Sequence, residues 1–196
     1  MRPSPRRSRT RRGFTLVELM VVVTIVAVLA VVGIRVLRNH VFGSKSAEAF
    51  AMIQSIRAAE ERWKSENLTY LKVSSAATDQ GSAPWYPANP ISAARAVRSF
   101  HVAVGQHGDE ANWKALNPAL IGNVEFGYLA HAGPPGTAMQ RLVVTPAGGA
   151  SPTLSNPGGD HWYVIQAVAD ADGDGVPAYF AATSLKGDVY AQNQGE

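Results

Sequence analysis

Residues 14–34 of the chain read FTLVELMVVVTIVAVLAVVGI, and this stretch decides the class of the N-terminal part of the protein. It holds 21 residues with a single charged side chain, Glu18. A helix needs about 20 apolar residues to cross a bilayer, so the stretch predicts a membrane-spanning helix. A carboxylate inside such a helix is costly, so Glu18 needs a compensating partner or a place at the level of the lipid headgroups.

The segment before this stretch is strongly basic. Residues 1–13 carry six of the eighteen Lys and Arg residues and none of the fifteen Asp and Glu residues. The positive-inside rule therefore predicts that residues 1–13 stay in the cytoplasm and that the chain after Ile34 lies outside it. The rest of the chain has twelve basic residues against fifteen acidic ones, so its charge does not indicate a nucleic-acid partner. The lack of cysteine excludes disulfides and thiolate metal sites.

Three kinds of export signal combine a basic segment with an apolar one. A cleaved secretory signal peptide is disfavoured, because no good small-x-small cleavage site follows the apolar stretch. Residues 10–14, TRRGF, resemble a twin-arginine signal, which would deliver a folded soluble protein. Glu18 within the apolar stretch and the missing cleavage site beyond it are evidence against that interpretation.

The third interpretation explains Gly13, Phe14 and Glu18 together. With the basic leader and the apolar stretch, they resemble the class III signal of type IV pilins and of type II secretion pseudopilins. The resemblance implies that a prepilin peptidase cleaves after Gly13 and methylates the new N-terminal Phe14. It also implies that Glu18 of one subunit neutralises the N-terminal amine of its neighbour during filament assembly. A solvated position of Glu18 at the headgroup level is the simpler alternative.

The helix is predicted to continue beyond the membrane to about Asn67. Residues 35–67 place apolar side chains three and four positions apart, as on one face of a helix. Arg57 with Glu61, and Glu60 with Lys64, are spaced for ion pairs on the opposite face. The apolar face is expected to pack on a globular domain, and its members are Val41, Phe42, Ala49, Phe50, Ile53, Ile56, Ala59 and Trp63.

Residues 68–196 are predicted to form an extracytoplasmic α+β domain. Short helices are predicted at 93–100 and 109–116, after a Ser-, Ala-, Gly- and Pro-rich loop. Runs rich in Val, Ile, Tyr and Phe indicate strands of an antiparallel sheet at 124–130, 141–145, 162–169, 178–185 and 189–192. The predicted fold is therefore a long N-terminal helix, half in the membrane (14–34) and half amphipathic (35–67), packed on a small antiparallel β-sheet domain.

Three aspartates form a candidate metal loop. Asp170, Asp172 and Asp174 alternate with small residues, and the carbonyl of Val176 is a further candidate ligand. Oxygen ligands at these positions suit a hard cation such as calcium, as in the first half of an EF-hand loop. The twelfth loop position is an alanine rather than a bidentate glutamate, and Asp188 is an unproven extra ligand. An Asp- and Gly-rich hairpin turn explains the same residues equally well.

No motif in the chain indicates an enzyme. The five histidines lack a metal-ligand spacing, and no nucleophile elbow, P-loop or dinucleotide motif is found. The predicted function is a structural subunit of a type IV pilus-like filament, first in the bacterial inner membrane and then at the cell surface. Its expected partners are the lipid bilayer, prepilin peptidase, the inner-membrane assembly machinery and other pilin-like subunits.

Two other functions remain open. Within the family, the alternative is a type II secretion pseudopilin, whose periplasmic filament drives protein export. From another class, the alternative is a membrane-tethered or twin-arginine-exported domain with a binding or enzymatic role. It predicts an uncut bond after Gly13 or removal of the whole apolar stretch.

Overall fold

The computed structural model describes residues 13–75, 85–88, 97–101, 104–119, 122–139, 158–170 and 175–193. Within these ranges the elements are α1 (Leu16–Asn67), β1 (Arg98–Ser99), α2 (Glu110–Leu116), β2 (Asn123–Val124), β3 (Gly127–Gly133), β4 (Trp162–Ala169), β5 (Ala178–Thr183) and β6 (Lys186–Gln192). The chain divides into two compact units, Met1–Arg38 and Asn39–Glu196.

The first unit contains the N-terminal part of α1. The helix begins at Leu16 and continues without a break through Gly33. Its apolar side chains from Leu16 to Ile34 are exposed in the single chain. The prediction of a long apolar helix at the N-terminus is therefore confirmed.

The second unit contains the C-terminal part of α1, which packs on the main sheet. Four of the predicted inward residues, Ala49, Ile53, Ile56 and Ala59, are buried, while Phe50 and Trp63 are partly buried against the same core. The edge of the Phe50 ring packs against Phe180 of β5, with 5.2 Å between ring centroids. These contacts confirm an α+β arrangement with the helix on the sheet.

The main sheet is an antiparallel meander in the order β3-β4-β5-β6. Every residue of β4 and β5 is buried, so these two strands are covered on both faces. On one face, Ile165 and Phe180 join the core that includes α1, and on the other, Val164 and Tyr179 pack with Trp85. Burial on both faces explains why these strands read as apolar runs rather than as alternating patterns.

Two of the predicted elements need correction. Residues 98 and 99 form β1, which pairs with β2 through Arg98 and Val124, so the predicted helix at 93–100 is wrong at its C-terminal end. The predicted strand at 124–130 is divided, because β2 ends at Val124 and β3 begins at Gly127. The predicted strand at 141–145 lies outside the described residues.

The predicted ion pairs on α1 are wrong. Arg57 donates instead to the carbonyl oxygens of Thr183, Lys186 and Gly187 at the β5–β6 turn. Glu60 is fully buried and accepts a hydrogen bond from the backbone of Leu71. Helical spacing alone does not show that another part of the chain offers these side chains better partners.

Candidate processing and assembly site

The backbone around Gly13 is accessible. Residues 13–15 lie before the first residue of α1 and have no regular secondary structure. Gly13 is exposed, and Phe14 retains 84% of its accessible surface. Accessible non-helical backbone is what a peptidase needs, because a helix holds the chain away from the extended form that proteases bind. The exposed backbone at Gly13 and Phe14 is compatible with the predicted cleavage, which stays a prediction.

Thr15 and Glu18 form a capping box at the start of α1. The Thr15 backbone N–H and hydroxyl group each donate to Oε2 of Glu18, at 3.0 Å. In return, the Glu18 backbone N–H donates to the Thr15 hydroxyl oxygen, at 3.2 Å. These bonds satisfy donors that a helix N-terminus otherwise leaves unpaired. Thr15 was not among the predicted site residues, although the spacing Thr-x-x-Glu before an apolar run is the signature of this cap.

The helix beyond the cap is apolar on all sides. Leu16–Ile34 has a mean hydropathy of 2.8, and none of it is buried against the rest of the chain. Its length suffices to cross a membrane. Thr24 donates its hydroxyl hydrogen to the carbonyl oxygen of Met20, at 2.8 Å, which satisfies this group within the helix. A helix without a polar face is stable in lipid or among other apolar helices, not in water. The segment is consistent with anchoring of the protein in a membrane.

Residues 8–34 match the family model described as the prokaryotic N-terminal methylation motif. The chain therefore carries a class III prepilin-like signal of the type IV pilin and pseudopilin family, which confirms the resemblance drawn from Gly13, Phe14 and Glu18. The long N-terminal helix with an antiparallel sheet is consistent with the pilin fold. No solved structure matches the chain.

The candidate metal loop is described only in part. Asp170 follows β4, is buried, and accepts a hydrogen bond through Oδ2 from the backbone of Gly175, at 3.1 Å. Asp172 and Asp174 lie outside the described residues, and Asp188 is exposed on β6. Within the described part of the chain, no group of three or more His, Asp or Glu residues is placed to hold a metal ion. Calcium binding at Asp170, Asp172, Asp174 and the Val176 carbonyl stays a prediction.

Proposed function

We propose that the protein is a structural subunit of a type IV pilus-like filament, assembled through its N-terminal helix after processing by prepilin peptidase. The observation that carries this proposal is the methylation motif at residues 8–34, followed directly by a helix that is apolar on all sides. A helix of this kind needs lipid before assembly and other helices afterwards. A family of this kind is generally structural rather than enzymatic.

The capping box leaves Glu18 able to bind a positive group of a neighbouring subunit during filament assembly. Cleavage after Gly13 creates an amine on Phe14, four residues before Glu18. In the single subunit, Glu18 accepts two hydrogen bonds from Thr15. The positive amine of a neighbouring subunit adds a charge attraction to Glu18, and the Thr15 bonds need not all break when it arrives. The bond between Glu18 and the amine of a neighbouring subunit therefore favours side-by-side packing of their N-terminal helices.

The same proposal implies which parts of the chain lie on each side of the inner membrane. The basic leader stays in the cytoplasm, where the peptidase acts, and α1 crosses the inner membrane. The unit Asn39–Glu196 lies outside the cytoplasm. In this unit, the main sheet and the C-terminal part of α1 form the folded part of the subunit. The apolar N-terminal helix attaches this part to the filament.

Intact-mass spectrometry of the protein from its native membrane tests the proposal, with prepilin peptidase present and deleted. The expected product begins at Phe14 and carries one added methyl group, and the deletion strain keeps the full chain. A Glu18→Gln variant should be processed normally but recovered poorly in filaments, whereas Thr24→Val, a neutral change in the same helix, should assemble. An uncut chain in the wild-type strain, or one cut beyond Ile34, contradicts the proposal and favours a tethered or exported domain.

A second experiment separates the two filament types. Deletion of the subunit should remove filaments that can be sheared from the cell surface while leaving secreted proteins unchanged. Loss of protein secretion with surface filaments intact would instead identify a type II secretion pseudopilin.

A further inference from the structure

Glu60 is a buried acid for which the second unit provides little compensation. Its side chain has no accessible surface on the inner side of α1. Oε2 accepts one hydrogen bond, from the backbone N–H of Leu71 at 2.9 Å. Oε1 is buried without a hydrogen-bond partner. A buried carboxylate normally has an ion pair or several donors, so this arrangement favours the neutral acid over the charged form.

The cations nearest in the helix are bound elsewhere. Arg57, one turn before Glu60, donates to carbonyl oxygens of the β5–β6 turn. Lys64, one turn after it, donates to the hydroxyl oxygen of Tyr70, at 3.1 Å. Among the residues that the structure describes, the other titratable groups that face Glu60 are acidic: Glu61 on its own helix, Tyr70 on the segment after α1, and Tyr163 on β4. These neighbours add negative charge when they ionise, and none of them stabilises a charged Glu60.

The hydrogen bond from Leu71 lies at the start of a segment that connects three elements. Residues 68–75, here called the connecting segment, lead from the end of α1 to the edge of the main sheet. The Ser74 N–H donates to the carbonyl oxygen of Ala130 in β3, at 2.7 Å. Asn112 of α2 donates to the carbonyl oxygen of Val73, at 3.0 Å. The Glu60–Leu71 bond thus ties α1 to the segment that holds α2 and the sheet edge.

We propose that Glu60 is a proton-operated latch: the protonated side chain holds the connecting segment against α1, and loss of the proton releases it. The release follows because an ionised Glu60 has one N–H donor and no cation in its buried position, so the charged group is more stable in water. Reaching water requires the carboxylate to leave the space between α1 and the connecting segment. The bond to Leu71 is then lost, and the anchoring of residues 68–75 weakens.

The direction of the pH effect follows from the titration of this group. Burial raises the pKa of Glu60 from 4.5 to about 8, and the nearby Glu61 charge adds to the rise, against the opposing effect of the Leu71 hydrogen bond. Between these two values the folded protein holds a proton that the unfolded chain has lost. The free energy of unfolding therefore decreases as the pH rises through this range. The folding equilibrium constant falls by up to about tenfold for each pH unit. We expect Glu60 to lower the folding constant by about several hundredfold between pH 5 and pH 8.

The test is urea unfolding of the full chain in detergent micelles at several pH values, followed by tryptophan fluorescence. All four tryptophans lie beyond residue 39, so the signal reports on the second unit. Glu60→Gln keeps the shape of the neutral acid, and we expect it to remove this decrease in the folding constant while matching the wild type near pH 5. Glu66→Gln changes an exposed acid on the same helix and should retain the pH dependence of the wild type. An unchanged pH dependence in Glu60→Gln overturns the proposal.

A second measurement needs no variant and covers the case in which Glu60→Gln does not fold. The amide proton shift of Leu71 is recorded by NMR in the wild-type chain as the pH is raised from 4 to 10. A midpoint near pH 8, with less protection from hydrogen exchange at Leu71 and Ser74 above it once the rates are divided by the intrinsic rate at each pH, supports the latch. A midpoint near 4.5, or protection that stays constant across the titration, contradicts it.

Discussion

Trp162 packs against Gly133 and leaves no room for a side chain at that position. The two residues are cross-strand partners at the end of β3 and the start of β4. A Cβ atom at position 133 would lie 2.5 Å from Cε2 of Trp162 and closer still to Cζ2. Carbon atoms in contact prefer a separation of about 3.5–4.0 Å, so the indole ring occupies the space that a side chain would need.

The expected cost of Gly133→Ala has three parts. Moving the ring out of a packed position costs about 1–3 kcal/mol, as in other overpacked cores. The Trp162 indole N–H also donates to the backbone oxygen and the hydroxyl of Thr137, at 3.1 and 3.0 Å, and weakening these bonds costs about 1 kcal/mol. Alanine has less conformational freedom than glycine in the unfolded chain, and this difference stabilises the folded state by about 0.4–1 kcal/mol. The net prediction is a loss of about 2 kcal/mol in the free energy of unfolding.

Urea unfolding of the wild type and of Gly133→Ala measures this loss. Gly159→Ala is the matched control, because no described atom lies within 4 Å of its added Cβ. In a double-mutant cycle, most of the cost should disappear in a Trp162→Leu background, which removes the ring atoms. A Gly133→Ala protein within about 0.5 kcal/mol of the Gly159→Ala control, or a cost that persists without the ring, would refute the steric argument.

Three further substitutions have defined outcomes. Arg57→Ala removes the hydrogen bonds to the β5–β6 turn and should lower the free energy of unfolding by about 2 kcal/mol, while the exposed Gln54→Ala on the same helix should change it by less than 0.5 kcal/mol in the same urea assay. Leu68 has a φ of 63° and is exposed, so Leu68→Gly should raise the thermal midpoint by relieving about 1 kcal/mol of backbone strain, and a lower midpoint would contradict this. Thr15→Ala removes the cap and should speed hydrogen exchange of the Glu18 amide in micelles, whereas Thr15→Ser, which keeps the hydroxyl, should not.

The parts of the fold that were predicted correctly depend on local patterns. The long run of apolar residues at 14–34 and the helical periodicity that follows it predict α1, including its end at Asn67. Apolar runs bounded by glycine and aspartate predict β4 and the start of β5. Each pattern is repeated over many residues, so single exceptions do not obscure it.

The errors arise where one residue has a distant partner. Spacing along α1 suggested surface ion pairs for Arg57 and Glu60, but the turn at 183–187 and the backbone of Leu71 bind them instead. Asp109 lies directly before α2, where an aspartate often caps a helix, yet its side chain makes no cap bond and Oδ2 accepts from the backbone of Ser75, at 3.3 Å. Such partners are 11 to 130 positions away in the sequence, beyond the reach of any local pattern.

The sequence by itself determined the prepilin-like signal and the long apolar helix that follows it. Both are local features, because they depend only on the order of neighbouring residues along the chain. Only the tertiary structure decided that Glu60 is buried with Oε1 unpartnered among the described residues, and that Trp162 lies over Gly133. Burial and close packing are properties of segments brought together from different parts of the chain, so they exist only once the helix, the connecting segment and the sheet have packed.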